Sequence, residues 1–426
     1  MIFLLVLGFA LWVWCPIIGI FPLLFFVYLD ENFGNNKFGN IVKNLIFLLV
    51  LFTITIFCST REFVLDTSNY VNEYNLCGGK FFIECIEETT ELFEPAFFFL
   101  SSLFFMISGG SEIGFIFLWS LTINSLVIFV ICKGFSTKYQ PILIMLTICN
   151  PSFYFQTFLM RQFMGITLFL CAIVLRQNKL LSLLFFIAGL MNHYTVFMYF
   201  PFIFSALILR DRNFIKQRTN KYWIFYVLFT LVAIGIGLIC TANKELFTSF
   251  LTMLGNINGE VSRKGIFFLD DNNDQVGFNG HSVLLIILTI LYIYIPIQYA
   301  KATETQSLKL DKRDIFDKII AALYSTQVFL FMVSRGIDDQ FALRTCLVLL
   351  AYTGLFFYFP LENSFLLKRY QNLFIWSLVS SFSCLFFGSF LQKLFLNDPS
   401  ILPAGYLGGK PFSPFSEYIF QIFTRW

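Results

Sequence analysis

Arg161 is the residue of this sequence whose type and position best suit chemistry. It lies between two apolar runs, in the segment 158–164, and Gln162 follows it directly. Holding a guanidinium in such surroundings costs free energy unless the charge is paired or hydrated. Its planar fork of N–H donors fits phosphate oxygens, so we expect it to bind an anionic ligand. The alternative is an interfacial arginine that snorkels to lipid headgroups.

Two further residues could take a proton. His193 is one of only two histidines in the chain, and a neutral imidazole accepts a proton near neutral pH. The alternative for His193 is a buried, hydrogen-bonded residue in a turn. Asp66 supplies a carboxylate in a polar segment between apolar runs. The sequence does not choose between His193 and Asp66 as a general base.

A later segment carries two more arginines. Arg335 and Arg344 flank a short loop that contains Asp338 and Asp339. Together with Arg161 they could form a cationic pocket for a diphosphate. The alternative is mutual neutralisation of each arginine by an aspartate of the same loop.

Neither a metal site nor a cofactor site is predicted. His193 and His281 are far apart in sequence, and no cysteine–histidine spacing fits zinc. The acidic loop 270–274 lacks the glycine and the terminal glutamate of a calcium loop. The sequence contains no Walker motif and no serine nucleophile elbow.

The composition is that of a membrane protein. Of the 426 residues, 58% are hydrophobic and 13% are charged, and 60 are Phe. Soluble domains usually carry about 25% charged residues, and one core could not bury so much Phe. The net charge of +3 is too small to indicate nucleic-acid binding.

Several runs approach the length of about 20 apolar residues that a spanning helix needs. The first, near the N-terminus, is too long and lacks the basic start of a cleavable signal peptide, so we interpret it as a membrane helix. The runs lie near 4–28, 41–59, 111–132, 141–159, 163–175, 222–240, 282–300, 319–333, 345–361 and 371–390.

The basic residues give an orientation, because Lys and Arg concentrate in cytoplasmic loops. The densest clusters are at 210–221 and 301–318, with smaller ones at 37/43, 133/138, 176/179 and 368/369. With all of these inside, 60–110 begins and ends outside, so 92–109 is predicted to be an amphipathic or re-entrant segment that does not span. Because the basic residues on both sides of 180–209 are placed inside, this segment is predicted to enter the membrane from the cytoplasm and to return to it, with its turn near 191–194. The alternative is one long helix over 180–207.

The predicted fold is therefore an all-α polytopic membrane protein with about 10–12 membrane helices, including a re-entrant or broken pair. Residues 1–426 form a single membrane domain, and no soluble domain is fused to it. The large external segments are 60–110, 241–281, 334–344 and the C-terminal tail 391–426. Cys77 and Cys85 share the first of these, where they could form a disulfide in an oxidising compartment or remain two free thiols.

Several fragments resemble the EpsG family of membrane polysaccharide proteins. Arg61-(x4)-Asp66-(x3)-Tyr70-(x3)-Tyr74 resembles the family's first external loop, and Glu94-Pro95-(x)-Phe97 its next segment. Arg161-Gln162-(x2)-Gly165, followed by the basic Arg176 and then by Asn192-His193, resembles its central signature, in which Ala often replaces Gly165. The resemblance is good over about 58–205 and weak afterwards.

This resemblance implies a Wzy-type polymerase of bacterial surface polysaccharide in the inner membrane. Such an enzyme joins undecaprenyl-diphosphate-linked glycan repeats at the periplasmic face, needs no cofactor, contacts membrane lipid and works with a separate chain-length regulator. We expect catalytic roles for Arg161, His193 and Asp66. Substrate-binding roles are expected for Arg61, Tyr70, Tyr74, Glu94, Gln162, Asn192, Arg335 and Arg344. Two alternatives are a flippase for lipid-linked oligosaccharide, and a ligase or acyltransferase acting on the same glycans.

The predicted orientation can be tested by labelling. Single cysteines at Ser262 and at Gln306, in a background without the native cysteines, should show opposite accessibility to a membrane-impermeant thiol reagent. Labelling from the same side would overturn the orientation.

Overall fold

The computed structural model describes residues 2–33, 39–60, 66–80, 83–85, 94–193, 196, 228, 231–232, 235, 351–363, 369–396 and 415–425. Over this part of the chain, every regular element is a helix. The α-helices, in chain order, are α1 Ile2–Trp14, α2 Pro16–Phe33, α3 Gly39–Ser59, α4 Asp66–Leu76, α5 Pro95–Ser108, α6 Glu112–Gly134, α7 Gln140–Ile148, α8 Met160–Val174, α9 Lys179–Asn192, α10 Thr353–Phe356, α11 Tyr358–Asn363, α12 Gln371–Leu396 and α13 Phe415–Arg425.

The chain divides into two compact units. One unit contains residues 1–197 and 372–426, and the other contains residues 198–371. The candidate site lies in the first unit. In the second, α10 and α11 are the helices with described bounds.

Three described helices are long and apolar enough to cross a membrane: α2, α3 and α6. They overlap the predicted runs 4–28, 41–59 and 111–132, and each extends a few residues beyond its run. The helices α1, α5, α8 and α9 are apolar but shorter. The structure thus supports a helical membrane protein, while the total number of spans stays a prediction. The predicted runs 282–300 and 319–333, most of 222–240, and the segments 241–281 and 334–344 lie outside the described residues.

The prediction of one helix over 4–28 is wrong. The chain breaks at Cys15, and α1 and α2 pack against each other as an antiparallel hairpin. A Cβ added to Gly8 would lie 2.7 Å from the Leu23 side chain, while Gly19 lies against the backbone of Trp12. The break has a local cause, because Pro16 disfavours helical geometry at Cys15 and itself suits the first position of a new helix.

Two more predicted helices are interrupted, and in each case a proline follows within three residues of the interruption. The run 141–159 is helical only to Ile148 and continues as a 3₁₀-helix, Pro151–Thr157, whose first turn is capped by Asn150. In the described part of 345–361, the helix is broken at Phe357. Pro360 lacks the N–H that would bond to the carbonyl of Phe356.

The pair α8 and α9 positions the candidate site. A Cβ added to Gly189 on α9 would lie 2.9 Å from the carbonyl oxygen of Gly165 on α8, so the two backbones touch there. Helix α9 ends at Asn192, and the backbone at His193 is extended (φ −162°, ψ 128°). The alternative of one long helix over 180–207 is therefore wrong, and the break falls at the predicted turn. The returning limb lies outside the described residues.

The segment 60–110 contains α4 and α5. Helix α5 has 14 residues, about 21 Å at 1.5 Å per residue; that 92–109 is an amphipathic or re-entrant segment stays a prediction. Cys77 and Cys85 are joined by a disulfide, with their Cα atoms 4.9 Å apart, so the bonded form of the two thiols is the one present.

The predicted tail 391–426 contains the end of α12 and all of α13. Phe415 of α13 packs against Trp12, with ring centroids 4.5 Å apart, and against Phe52 at 6.4 Å. These contacts tie the C-terminal helix to α1 and α3.

The contact between α8 and α9 predicts the effect of one methyl group. Gly189→Ala should lower the free energy of unfolding by about 1–3 kcal/mol, because the added Cβ overpacks against a backbone carbonyl. Gly235→Ala is the control, since nothing lies within 4 Å of an added Cβ at that helical position. Denaturant titration of the two purified variants in mixed micelles would measure both effects, and equal stability would contradict the close packing.

Candidate functional site

Arg161 lies at the N-terminal end of α8 and is buried, with a side-chain exposure of 8%. This is an unfavourable place for a cation, because the N-terminus of a helix carries partial positive charge. Burial adds the cost of removing the guanidinium from water. Anionic partners must therefore compensate the charge.

Two carboxylates supply that compensation. Nη1 of Arg161 donates to Oε2 of Glu94 over 2.8 Å, and Nη2 donates to Oε2 of Glu73. The Glu94 side chain is as buried as that of Arg161, with 6% exposure, whereas the Glu73 side chain is 24% exposed. One guanidinium thus joins α8 to α4 and to the start of α5.

Aromatic rings surround the guanidinium. Its Cζ lies 4.4 Å from the centroid of Phe97, 5.1 Å from that of Tyr70 and 5.7 Å from that of Phe98. A cation near an aromatic ring is attracted to the electrons of the ring face. The rings also exclude water, which strengthens the ion pairs within them.

Glu94 connects Arg161 to His193. Its Oε1 lies 3.4 Å from Nε2 of His193, while its Oε2 holds Arg161. Glu94 occupies the N-cap position of α5, and its side chain makes no capping hydrogen bond. Pro95 begins the helix, as proline often does, and the side chain of Glu94 is directed toward the other two residues.

The side chain of Tyr70 lies close to four charged residues of the site, which are Arg161, Glu73, Glu94 and Asp66. Burial raises the pKa of Tyr70; the positive charge of Arg161 opposes this, and the negative charges of Asp66, Glu94 and Glu73 add to it. The phenol therefore stays protonated at neutral pH. Asp66, the first residue of α4, is near enough to influence Tyr70, and its predicted role as a base stays untested.

Tyr74 has a packing role in this structure. The residue is fully buried, its ring stacks on Phe115 at 4.3 Å, and its hydroxyl lies 2.6 Å from that of Ser108. The predicted substrate-binding role of Tyr74 stays a prediction, and the burial of its side chain argues against it.

Gln162 directly follows Arg161 in the chain, and Asn192 directly precedes His193. Asn192 is buried, and its Nδ2 donates to the carbonyl of Ala188 over 2.9 Å. The side-chain carbonyl oxygens of Gln162 and Asn192 accept no hydrogen bond from the described part of the chain. Arg61, Arg335 and Arg344 lie outside the described residues, so their predicted roles stay predictions.

The sequence analysis missed Glu73. A local signal was present, because Glu73 lies three residues after Tyr70 on α4, and residues at that spacing share a face of a helix. Its pairing with Arg161 joins positions 88 residues apart, which no local pattern reveals. The prediction treated Arg161 as a cation open to an anionic ligand, whereas the structure shows it already compensated.

The described residues contain no group of three or more His, Cys, Asp or Glu side chains that could hold a metal ion.

Arg161→Lys should fail to replace the arginine. A lysine has one ammonium nitrogen and cannot donate from two separate nitrogens to Glu73 and Glu94. We expect a loss of about 2–4 kcal/mol in the free energy of unfolding, close to that for breaking a buried pair. Arg369→Lys is the matched control, since Arg369 is exposed and its Cζ lies 5.6 Å from the ring centroid of Tyr370, a contact that a lysine can also make. Equal stability of the two variants in a denaturant titration would contradict the double pairing.

Comparison with known proteins gives one family. The EpsG family model matches residues 43–400, which is most of the chain and includes all the residues of the cluster. No curated protein and no solved structure matches. The prediction of the family is confirmed, and the coarse function that follows is that of a membrane protein related to polysaccharide polymerases. On the extent of this match, the chain belongs to the EpsG family.

Proposed function

We propose that this protein polymerises undecaprenyl-diphosphate-linked oligosaccharide repeats into bacterial surface polysaccharide, an O-antigen or a capsule. The reaction takes place at the periplasmic face of the inner membrane. Family membership supports a polymerase-related protein. The observation that supports a specific site is a buried cluster of side chains. In this cluster Arg161 contacts Glu73, Glu94 and three aromatic rings, and His193 lies next to Glu94.

The chemistry is the transfer of a glycan between two lipid carriers. A hydroxyl of the acceptor repeat attacks the anomeric carbon of the donor, a new glycosidic C–O bond forms, and the C–O bond to the diphosphate breaks. Undecaprenyl diphosphate leaves with the electron pair, so negative charge grows on its oxygens. Arg161 is the group that would stabilise that charge in a low-dielectric site.

A base must take the proton of the attacking hydroxyl. His193 suits this role because Glu94 lies 3.4 Å from its Nε2, and a carboxylate in that position orients an imidazole and stabilises its protonated form. Asp66, at the start of α4, is the second candidate. The amide oxygens of Gln162 and Asn192 are acceptors suited to sugar hydroxyls.

The disulfide supports the proposed side of the membrane. Cys77 and Cys85 lie just after α4, the helix that carries Glu73 and Tyr70. Disulfides persist in oxidising compartments such as the bacterial periplasm and are rare in the cytosol. A site assembled from α4, α5 and the N-terminus of α8 would then face the periplasm, in agreement with the orientation expected from the basic loops.

The test is the glycan profile of cells that lack this protein, on a gel that resolves lipid-linked chain lengths. The deletion should leave a single capped repeat unit, and the wild-type gene should restore the ladder. Arg161→Ala and His193→Gln, at wild-type levels in the membrane, should each restore less than about 1% of the polymer, because loss of a key electrostatic or acid–base group usually costs 10²–10⁴ in rate.

Arg369→Ala, at an exposed position outside the site, serves as the control and should restore the ladder. A ladder that persists in the deletion strain would remove the polymerase function for that glycan. A flippase or a ligase would then explain the family membership better. Full activity of Arg161→Ala would remove the proposed site while leaving the function standing.

A further inference from the structure

We infer that Glu73 is a resident counter-anion that the diphosphate of the donor displaces from Arg161. This inference rests on the proposed function and adds a step to it. The carboxylate holds the guanidinium in the absence of substrate, and the anionic leaving group takes the same place on Nη2 when the donor binds.

The charge of the described residues around Arg161 favours such an exchange. One guanidinium is paired with two carboxylates, so with His193 neutral Arg161, Glu73 and Glu94 together carry an excess of one negative charge, before the nearby carboxylate of Asp66 is counted. A diphosphate brought to this cluster would meet net repulsion rather than attraction, and like charges in a buried site are costly. With the described residues alone, the diphosphate binds Arg161 favourably when one carboxylate leaves the guanidinium.

Glu73 is the carboxylate that can leave. Its side chain is 24% exposed, so water can solvate it when it turns away. Glu94 is 6% exposed and contacts both Arg161 and His193. Moving Glu94 would break two contacts and strand a buried charge, which is far more costly than turning a partly hydrated side chain outward.

The exchange requires movement of a side chain and not of a helix. Helix α4 is fixed near its start by the hydroxyl of Thr67, which donates to the carbonyl of Thr157 over 2.7 Å. Near its end it is fixed by the hydrogen bond of Tyr74 to Ser108 over 2.6 Å and by the disulfide that follows. A change of rotamer moves a glutamate carboxylate several ångströms with the backbone in place.

The place that Glu73 vacates suits a diphosphate. It presents an N–H edge of Arg161, a donor that pairs strongly with phosphate oxygens. It also lies at the N-terminal end of α8, where partial positive charge favours an anion. The ring of Phe97, 4.4 Å from Cζ of Arg161, keeps the guanidinium in position during the exchange.

Binding of undecaprenyl diphosphate to the full-length protein in lipid nanodiscs tests this inference. Glu73→Gln should lower the Kd about tenfold, because a neutral amide competes less well for Arg161 and no longer repels the ligand; tenfold corresponds to about 1.4 kcal/mol. Glu73→Asp keeps the charge, and its Kd should lie closer to that of the wild type. Arg161→Ala should bind more weakly than the wild type.

The matched control is Glu112→Gln. Glu112 is a carboxylate at the start of α6 that accepts a hydrogen bond from Asn75 of α4 over 2.9 Å, and its neutralisation should leave the Kd unchanged. A general effect of surface charge would lower the Kd of both glutamine variants and would overturn the inference.

The remaining outcomes separate the inference from the proposed function. Unchanged or weaker binding by Glu73→Gln, with binding still lost in Arg161→Ala, would overturn the exchange and leave the diphosphate site standing. A Glu73→Gln protein that no longer folds would make Glu73 a structural partner, which also overturns the exchange. Binding that does not depend on Arg161 at all would remove the proposed site together with the inference.

Discussion

The buried ion pair between Arg161 and Glu94 is the interaction on which the site depends. Both side chains are less than one tenth exposed, and each charge would be very costly alone. The pair fixes the start of α8 against the start of α5. The second nitrogen of Arg161 also holds Glu73, and the second carboxylate oxygen of Glu94 lies next to His193. Four separate parts of the chain therefore meet at this ion pair.

The packing of the surrounding helices brings the members of this ion pair and His193 together. The backbones of α8 and α9 touch at Gly165 and Gly189, which brings the end of α9, and with it His193, toward the start of α8. On the other side, Trp119 of α6 donates to the carbonyl of Met160 over 3.4 Å and packs edge-on against Phe97. Apolar packing therefore sets the geometry within which the charges pair, and it keeps water away from them.

The sequence predicted the long apolar helices, because about 20 apolar residues form a signal that needs no tertiary information. It did not predict the breaks at Pro16, Pro151 and Pro360, where local backbone geometry interrupts an apolar run. Hydropathy does not register these breaks, although the prolines are visible in the sequence.

Within the site, Arg161, Glu94 and His193 were recognised from their residue types and from the family resemblance, and the structure brings them together. Glu73 was missed, and Arg161 was therefore predicted to be available for an anionic ligand rather than already paired. Such pairing depends on which distant segments meet in space, and hydropathy and spacing carry no such information.

A double-mutant cycle between Arg161 and Glu94 tests the central claim most directly. The free energy of unfolding of full-length protein would be measured by SDS titration in mixed micelles for Arg161→Met, Glu94→Met and the double variant. If the buried pair exists, each single variant strands a charge, and the double variant should be no less stable than either, with a coupling of at least about 2 kcal/mol. Additive effects, with a coupling below about 0.5 kcal/mol, would show that the two residues do not pair and would contradict the account.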